Sequence, residues 1–164
     1  GHDHVITSAA ESGTVWLGVM PAETSFELQL QVGQFEVDLP QARAAAGPEF
    51  ATPVPDDARQ ATRRNLLRAE VLDGAAHPLI VLRSVTASGP WAQAVLVVAV
   101  QVRGVERREE VLVTIERDAG RLVARGELRI RQSDYGFTPF AVAGGALQVA
   151  DTLELRFEIV AVPA

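Results

Sequence analysis

The sequence contains no cysteine and no lysine, and both absences narrow what the protein can be. Without cysteine there is no disulfide framework, no thiolate zinc site and no cysteine nucleophile. All 15 basic residues are arginine, and the excess of acidic residues gives a net charge of −6. An acidic domain lacks the positive field that follows a phosphate backbone, so we do not expect a nucleic-acid partner.

Long apolar runs are also missing. The longest run, residues 94–100, is far shorter than the roughly 20 residues that a membrane-spanning helix needs, so we predict no integral membrane segment. A length of 164 residues fits a single domain over residues 1–164. Because the chain is acidic, anionic lipid headgroups would repel it weakly. We therefore expect any role at membranes to be the carrying of single lipid molecules and not binding to the membrane surface.

Residue patterns that indicate catalysis are scarce, and we predict that the protein is not an enzyme. No serine lies in a Gly-x-Ser-x-Gly elbow, and Gly144-Gly145 is not followed by a phosphate-binding pattern. Glu109 and Glu110 are neighbours on a predicted strand, so they would point to opposite faces and are interpreted as solvated charge. No acid–base pair can be assembled from these residues.

The histidines near the start of the chain are weak candidates for metal ligands. His2 and His4 are two residues apart, so on a strand both rings would lie on the same side. Two imidazoles are too few for a closed zinc site, and we therefore predict no metal unless a further ligand joins them. His77, which precedes Pro78, is expected to have a structural role.

Apolar and polar residues alternate along much of the chain, which predicts half-buried β-strands. The alternation runs from Phe26 to Val32, and after Gly33 its phase shifts by one residue, which predicts a bulge or a sharp bend. Hairpin turns are predicted at residues 118–120 and 103–105. The other predicted strands are residues 14–20, 79–86, 95–102, 111–115, 120–132 and 153–159.

Helical spacing replaces this alternation at about residues 40–72. A short helix is predicted over residues 40–46, and a second from Asp56 or Asp57 through Leu72, with Arg59, Arg63 and Arg64 pointing away from its apolar stripe. The sequence therefore predicts an all-β fold with one or two short helices, in which antiparallel strands close into a small barrel. Such a barrel either fills with side chains or leaves room for one ligand.

Several segments, in order along the chain, resemble the YceI-like family. Residues 126–136 (G-E-L-R-I-R-Q-S-D-Y-G), 138–140 (T-P-F) and 144–151 (G-G-A-L-Q-V-A-D) are similar to the family's strand, its S-D-F/Y-G turn and the approach to its last strand. Residues 70–73 with 77–80, and residues 102–105, resemble its helix exit and a hairpin. The opening G-H-D-H-V-I resembles the G-H-N-H-V-I of one branch of the family.

This resemblance implies a lipocalin-like antiparallel barrel that has eight strands in the family, with the first strand apparently missing from this sequence. It also implies a periplasmic or secreted protein that holds an isoprenoid, a quinone or a fatty-chain lipid, with no other cofactor. The leading hypothesis is therefore a carrier of one small apolar ligand. A metal-binding or redox-accessory protein using His2 and His4, and an interaction module with a filled barrel, remain alternatives. A homodimer is left open.

Alternation along the strands indicates which apolar side chains line a ligand site, and the helix and the turn before the last strand supply residues that could close one end. The predicted ligand-binding residues are Phe26, Leu28, Leu30, Val32, Leu66, Leu67, Ile80, Leu82, Val98, Val100, Leu128, Ile130, Phe137, Phe140, Leu155 and Phe157.

Overall fold

The computed structural model describes residues 3–9, 11–118, 120–139, 141–142 and 147–164. Its strands are β1 (Ile6–Thr7), β2 (Glu11–Trp16), β3 (Ser25–Gln31), β4 (Glu36–Val37), β5 (Leu79–Ser88), β6 (Ala94–Val102), β7 (Val105–Asp118), β8 (Arg121–Arg131), β9 (Ala141–Val142), β10 (Leu147–Gln148) and β11 (Thr152–Ala161), and its helices are α1 (Pro40–Ala46) and α2 (Asp56–Leu66). No helix in the described part is long and apolar enough to cross a membrane.

Seven strands form one sheet in the order β11-β8-β7-β6-β5-β3-β2. The pairs from β5 to β11 whose register is defined are antiparallel. Val102 pairs with Val105 across a two-residue turn in which Arg103 and Gly104 both have positive φ, 50° and 76°. This is the geometry of a tight hairpin turn, and Gly120 (φ 82°) serves the next hairpin in the same way. The predicted antiparallel β fold and both predicted turns are confirmed.

The chain forms two compact units, and the first consists of residues 1–11 and 30–80. It contains the β1–β4 pair and both helices. Helix α1 has the predicted bounds, but the prediction that α2 continues through Leu72 is wrong, because it ends at Leu66. Beyond that point the chain reverses: the Asp73 amide donates to the Arg68 carbonyl, and Asp73 takes a left-handed conformation (φ 48°).

The phase shift at Gly33 corresponds to a 3₁₀ turn over Val32–Gln34, so the predicted bend is confirmed. The strand that follows contains only Glu36–Val37. Val32 itself is 1 % exposed and its amide donates to the Pro78 carbonyl, which fixes the turn within the first unit.

Three arginines of α2 were predicted to point away from its apolar stripe, and the structure corrects this for two of them. Arg63 donates from Nε to the carbonyl of Phe35 and from a terminal nitrogen to that of Gly33, so it holds the 3₁₀ turn against the helix. Arg59 is mostly buried and pairs with Asp56, one turn earlier on the same helix. Arg64 is exposed, as predicted.

The second unit consists of residues 12–29 and 81–164 and contains most of the sheet. Its buried residues include Ala94, Val98, Val113 and Leu122 on the central strands and Tyr135 in a 3₁₀ turn after β8. Burial alternates along β7 and β8 as the sequence pattern predicts. The strand predicted over residues 14–20 instead ends at Trp16, and residues 17–20 form a loop.

Candidate functional site

One face of the sheet in the second unit is apolar, and strand register shows which residues share it. Leu82 pairs with Val100 across β5 and β6, and Leu128 pairs with Leu155 across β8 and β11. Residues directly opposite in an antiparallel pair point to the same side. We call this surface the apolar face; its members include Leu82, Leu96, Val98, Val100, Val111, Val113, Leu128, Ile130, Leu153, Leu155 and Phe157.

Coverage of the apolar face is uneven. Val98 and Val113, on β6 and β7, are 5 % and 0 % exposed. On β11, by contrast, Leu153 and Leu155 are each 39 % exposed, and Leu128 and Phe157 are only half-buried. Apolar side chains on β8 and β11 therefore remain in contact with water on a face that elsewhere forms core.

Gly126 lets the Phe157 ring lie flat against this face. The two residues are paired, and a Cβ added to Gly126 would be 2.6 Å from Phe157 Cζ and 3.0 Å from the Leu112 carbonyl oxygen. Any larger residue would push the ring away, since Cβ atoms do not approach other atoms so closely. Glycine on a strand commonly marks such a close approach.

The opposite face carries cross-strand ion pairs. Arg125 contacts Glu158 at 2.7 Å and Glu116 at 3.0 Å, and Arg156 contacts Glu127 at 3.1 Å. Arg129 and Glu154 form a further pair on the same two strands. These side chains are largely exposed, so this face carries most of its charge in contact with water.

A polar pair interrupts the apolar face. Glu109 lies opposite Val98 in the register of β6 and β7, and the Tyr135 hydroxyl donates a hydrogen bond of 2.7 Å to its carboxylate. Tyr135 is 2 % exposed. Burial, together with the hydrogen bond and the negative charge of Glu109, raises the pKa of Tyr135 above its usual value, so the hydroxyl keeps its proton. The prediction that Glu109 is merely solvated charge is wrong: it is half-buried and hydrogen-bonded.

The turn that carries Tyr135 is tied to the start of β11. Asp151 accepts from the Ser133 amide at 2.8 Å and from the Ser133 hydroxyl at 2.6 Å, and these bonds lower the pKa of Asp151. Gly136 ends the turn with φ 77°, a conformation that favours glycine. The S-D-Y-G segment therefore places the tyrosine beneath β7.

The first unit contains a buried cluster of charged residues. Asp38, 1 % exposed, accepts hydrogen bonds from the Val5 amide and from Arg43, and contacts His4 Nδ1 at 2.6 Å. Arg43, 4 % exposed, also donates to the carbonyls of Asp3 and Phe50. Burial opposes ionisation of Asp38, but these partners outweigh it and lower its pKa.

His4, a weak candidate for a metal ligand, instead contacts this buried cluster. Its Nδ1 contacts Asp38, a buried carboxylate that Arg43 already neutralises. Within the described residues there is no group of three or more side chains that could hold a metal ion. His2, the other candidate ligand, lies outside the described residues, as do Gly144 and Gly145.

The two units divide the predicted ligand-binding residues. Phe26, Leu28, Leu82, Val98, Val100, Leu128, Ile130, Phe137, Leu155 and Phe157 belong to the second unit, whereas Leu30, Val32, Leu66, Leu67 and Ile80 belong to the first. The residues on β5, β6, β8 and β11 are brought together on the apolar face. Phe137 is half-buried, with the Arg103 guanidinium 5.2 Å from its ring centre. Phe140 lies outside the described residues.

Sequence reasoning missed two features. Alternation along β7 places Glu109 on the same side as Val111 and Val113, so a strict reading of the period would have put a carboxylate on the apolar face. No comparable signal identifies the Asp38–Arg43 pair, because it depends on a left-handed backbone at Asp38 (φ 52°).

Two shallow depressions open on the surface of the described part. One, of about 290 Å³, is lined by Ser12, Gly13, Thr14, Trp16, Glu27 and Gln29. The other, of about 300 Å³, is lined by Thr7, Ser8, Ala9, Gln34, Glu36 and Leu39. Neither contains a predicted ligand-binding residue.

Comparison with known proteins identifies similar structures and a matching family. The fold matches the crystal structures of the Campylobacter jejuni YceI protein (TM-score 0.71, 12 % identity, 98 % of this chain and 85 % of that one) and of Burkholderia cenocepacia BcnA (TM-score 0.73, 14 % identity, 96 % and 87 %). No curated protein matches the chain significantly. The family model described as YceI-like domain matches residues 7–161.

The YceI-like family is known for a barrel fold that binds lipids and polyisoprenoids, and its members are periplasmic. It is generally a family of binding proteins and not of enzymes. Because the family model covers nearly all of the sequence, and the antiparallel sheet and the S-D-Y-G turn agree with it, the chain belongs to the YceI-like family.

Proposed function

We propose that the protein is a periplasmic binding or carrier protein for an isoprenoid or another long-chain apolar lipid, which lies against the apolar face. The observation that carries this proposal is the uneven coverage of that face. Its β6 and β7 residues are buried, whereas Leu153 and Leu155 on β11 keep 39 % of their surface in water. A lipid chain lying along β8 and β11 would remove that apolar surface from water.

Apolar contact alone is strong enough for such binding. Each buried methylene contributes roughly 0.8 kcal/mol, so a chain of about fifteen carbons contributes on the order of 10 kcal/mol before the cost of association. Hydrophobic contact is not directional, so the site needs apolar walls and no reactive group.

The Tyr135–Glu109 pair would meet the polar end of the ligand. The hydroxyl of Tyr135 is already committed to Glu109, and among the described residues no other side chain donates to that carboxylate. An alcohol or amide end group can donate a hydrogen bond to Glu109, whereas a quinone has only acceptors. The proposal therefore favours lipids with a neutral donor end group.

Native mass spectrometry of the protein purified from a bacterial host tests this function. We expect a 1:1 apolar adduct that disappears on denaturation, and extraction should identify it as a long-chain lipid. A protein that remains at its apo mass both as purified and after incubation with long-chain alcohols would overturn the proposal.

Two leucines on opposite faces of the sheet provide a matched pair of variants. Leu155→Glu introduces a charge on the apolar face, and Leu112→Glu introduces one on the charged face, where Leu112 is 61 % exposed. We expect Leu155→Glu to reduce the bound fraction at least tenfold and Leu112→Glu to leave it unchanged. Equal effects of the two variants would contradict binding on the apolar face.

A further inference from the structure

An exposed apolar loop follows β2 in the second unit. We call residues 16–20 the apolar loop: Trp16, Leu17, Val19 and Met20 are 57 %, 49 %, 81 % and 56 % exposed, and Gly18 lies between them. Single exposed apolar side chains are common on protein surfaces, but four within five consecutive residues form a patch that indicates an interaction site.

The backbone of the apolar loop is closed by its own hydrogen bonds. The amide of Gly18 donates to Thr24 Oγ1 at 3.0 Å, and the amides of Val19 and Met20 donate to Glu23 Oε2 at 3.0 and 3.4 Å. The Met20 carbonyl accepts from the Glu23 amide at 3.0 Å. These bonds hold the loop in one shape and leave its apolar side chains pointing outward.

The fit between Gly18 and Glu23 makes this shape specific. A Cβ at Gly18 would lie 2.4 Å from Glu23 Cβ and 2.7 Å from the Glu23 carbonyl carbon, so only glycine allows the turn to close. The glycine therefore brings Glu23 close enough to accept from the two amides of the loop.

Charge is absent from the loop and from its approach. Residues 12–22 contain no Asp, Glu, Lys, Arg or His, and the first charged side chain after them is Glu23, whose carboxylate accepts from the loop. An electrostatic partner, whether nucleic acid or an anionic surface, has nothing here to recognise. What the loop offers is apolar side chains and one indole.

We propose that the apolar loop inserts into the interfacial region of a neutral lipid bilayer. Two observations favour a bilayer over a protein partner. Backbone amides that enter hydrocarbon must already be hydrogen-bonded, and those of residues 18–20 are. Tryptophan is the side chain most typical of the membrane–water interface, and Trp16 stands where the strand meets the loop. The acidic charge of the chain, which would oppose binding to anionic lipids, does not oppose binding to zwitterionic ones. The sequence expectation against binding to a membrane surface rested on that repulsion, so it does not apply to a neutral bilayer.

Tryptophan fluorescence tests this proposal directly. The chain has two tryptophans, and Trp91→Phe leaves Trp16 as the only one while keeping an aromatic ring beside Arg117. We expect phosphatidylcholine vesicles to shift Trp16 emission to shorter wavelength, and brominated acyl chains to quench it. Because no ion pair takes part, added salt should not weaken binding.

Charge substitutions show whether the loop is responsible. In the Trp91→Phe background, Val19→Asp should reduce partitioning onto the vesicles at least tenfold, while Leu112→Asp, also at an exposed apolar residue, should leave it unchanged. Both sites are more than half exposed, so both variants should fold, which circular dichroism checks. Equal partitioning of the two variants, or no partitioning of the parent protein, would overturn the proposal.

Association with another protein molecule gives a different result. If the loop instead joined two copies of the chain, sedimentation would show a dimer without vesicles that Val19→Asp disrupts, and vesicles would not bind the parent. Such a result would overturn the proposal. The test uses protein stripped of bound lipid, so membrane contact can be confirmed even if the proposed carrier function fails.

Discussion

Different kinds of interaction stabilise the interiors of the two compact units. The interior of the first includes a charged pair, Asp38 with Arg43, both almost completely buried and hydrogen-bonded to backbone groups on either side. The second unit relies on its sheet, and its apolar face is left partly uncovered on β8 and β11. A buried charged pair is satisfied in only one geometry, whereas apolar contacts accept partners of many shapes.

We infer from this difference that the first unit is the more rigid and that the second provides the lipid-binding surface. Charged hydrogen bonds that must all be made at once favour a rigid element, as the contacts of Asp38 and Arg63 with loop backbone do in the first unit. A site for long-chain lipids needs the opposite: smooth walls that tolerate chains of different length. Variants that remove either the buried charged contacts or the apolar contacts can therefore show which of them determines stability and which determines lipid binding.

The largest expected effect is in the first unit. Asp38→Ala leaves the Arg43 guanidinium buried without its anion, which typically destabilises a protein by about 3–5 kcal/mol. Urea unfolding measures the loss. Asp38→Asn retains the acceptor for the Val5 amide and tolerates the left-handed backbone, so it should reduce the free energy of unfolding by less. An equal reduction in both variants would mean that the charge of Asp38, and not the geometry of its hydrogen bonds, stabilises the cluster.

Acid should weaken the same cluster. The pKa of Asp38 is lowered in the folded protein, so its stabilising contribution is complete above the ordinary pKa of about 4 and is lost as the pH falls through the folded value. The free energy of unfolding of the parent should therefore decrease in acid by more than that of Asp38→Asn. Parallel acid profiles would contradict the assigned role of Asp38.

A smaller effect is expected at the polar pair of the second unit. Tyr135→Phe removes a hydrogen bond to a carboxylate and should reduce the free energy of unfolding by about 1.5–3 kcal/mol. A control is Phe137→Leu, which alters a half-buried ring next to the turn without touching Glu109. A larger loss in Phe137→Leu than in Tyr135→Phe would contradict the importance of this bond.

At alkaline pH the ionisation of Tyr135 can be followed without interference from other side chains, because the chain has one tyrosine and neither cysteine nor lysine. Its pKa is raised in the folded state, so the folded protein holds the proton more tightly than the unfolded chain does. The contribution is complete below the ordinary pKa of about 10 and is lost as the pH rises toward the folded value. Tyrosinate absorbance should appear together with unfolding; ionisation of the folded protein at the ordinary pKa would contradict this account.

The smallest effect is expected on the charged face. Arg156→Ala breaks an exposed pair with Glu127 and should change the free energy of unfolding by less than about 1 kcal/mol. Lipid binding should not change, and both can be measured on the same preparation. A loss of bound lipid in this variant would reverse the assignment of the two faces.

Much of the fold follows from the sequence, because strand and hairpin signals are local. Alternation predicts β6, β8 and β11 to within a residue or two, and the helix over Pro40–Ala46 follows from its flanking proline and glycine. The end of α2 is missed because backbone turns after Leu66 replace a helical pattern that continues to Leu72.

The candidate site was predicted unevenly for a similar reason. Which residues share the apolar face follows from a period of two, but how far each is covered depends on neighbours in space, and Leu155 and Val98 look alike in sequence. The environments of Glu109 and Asp38 depend on contacts over 26 and 34 residues, to Tyr135 and His4, which no local pattern encodes.

The most direct test of the central claim is to locate a bound chain on the sheet. A long-chain isoprenoid alcohol bearing a photoreactive diazirine can be irradiated with the protein and its attachment sites mapped by mass spectrometry. We predict labels on Leu128, Leu155 and Phe157 that an excess of unlabelled alcohol suppresses. Labels confined to the charged face, or labelling that the unlabelled alcohol does not suppress, would contradict a lipid site on the apolar face.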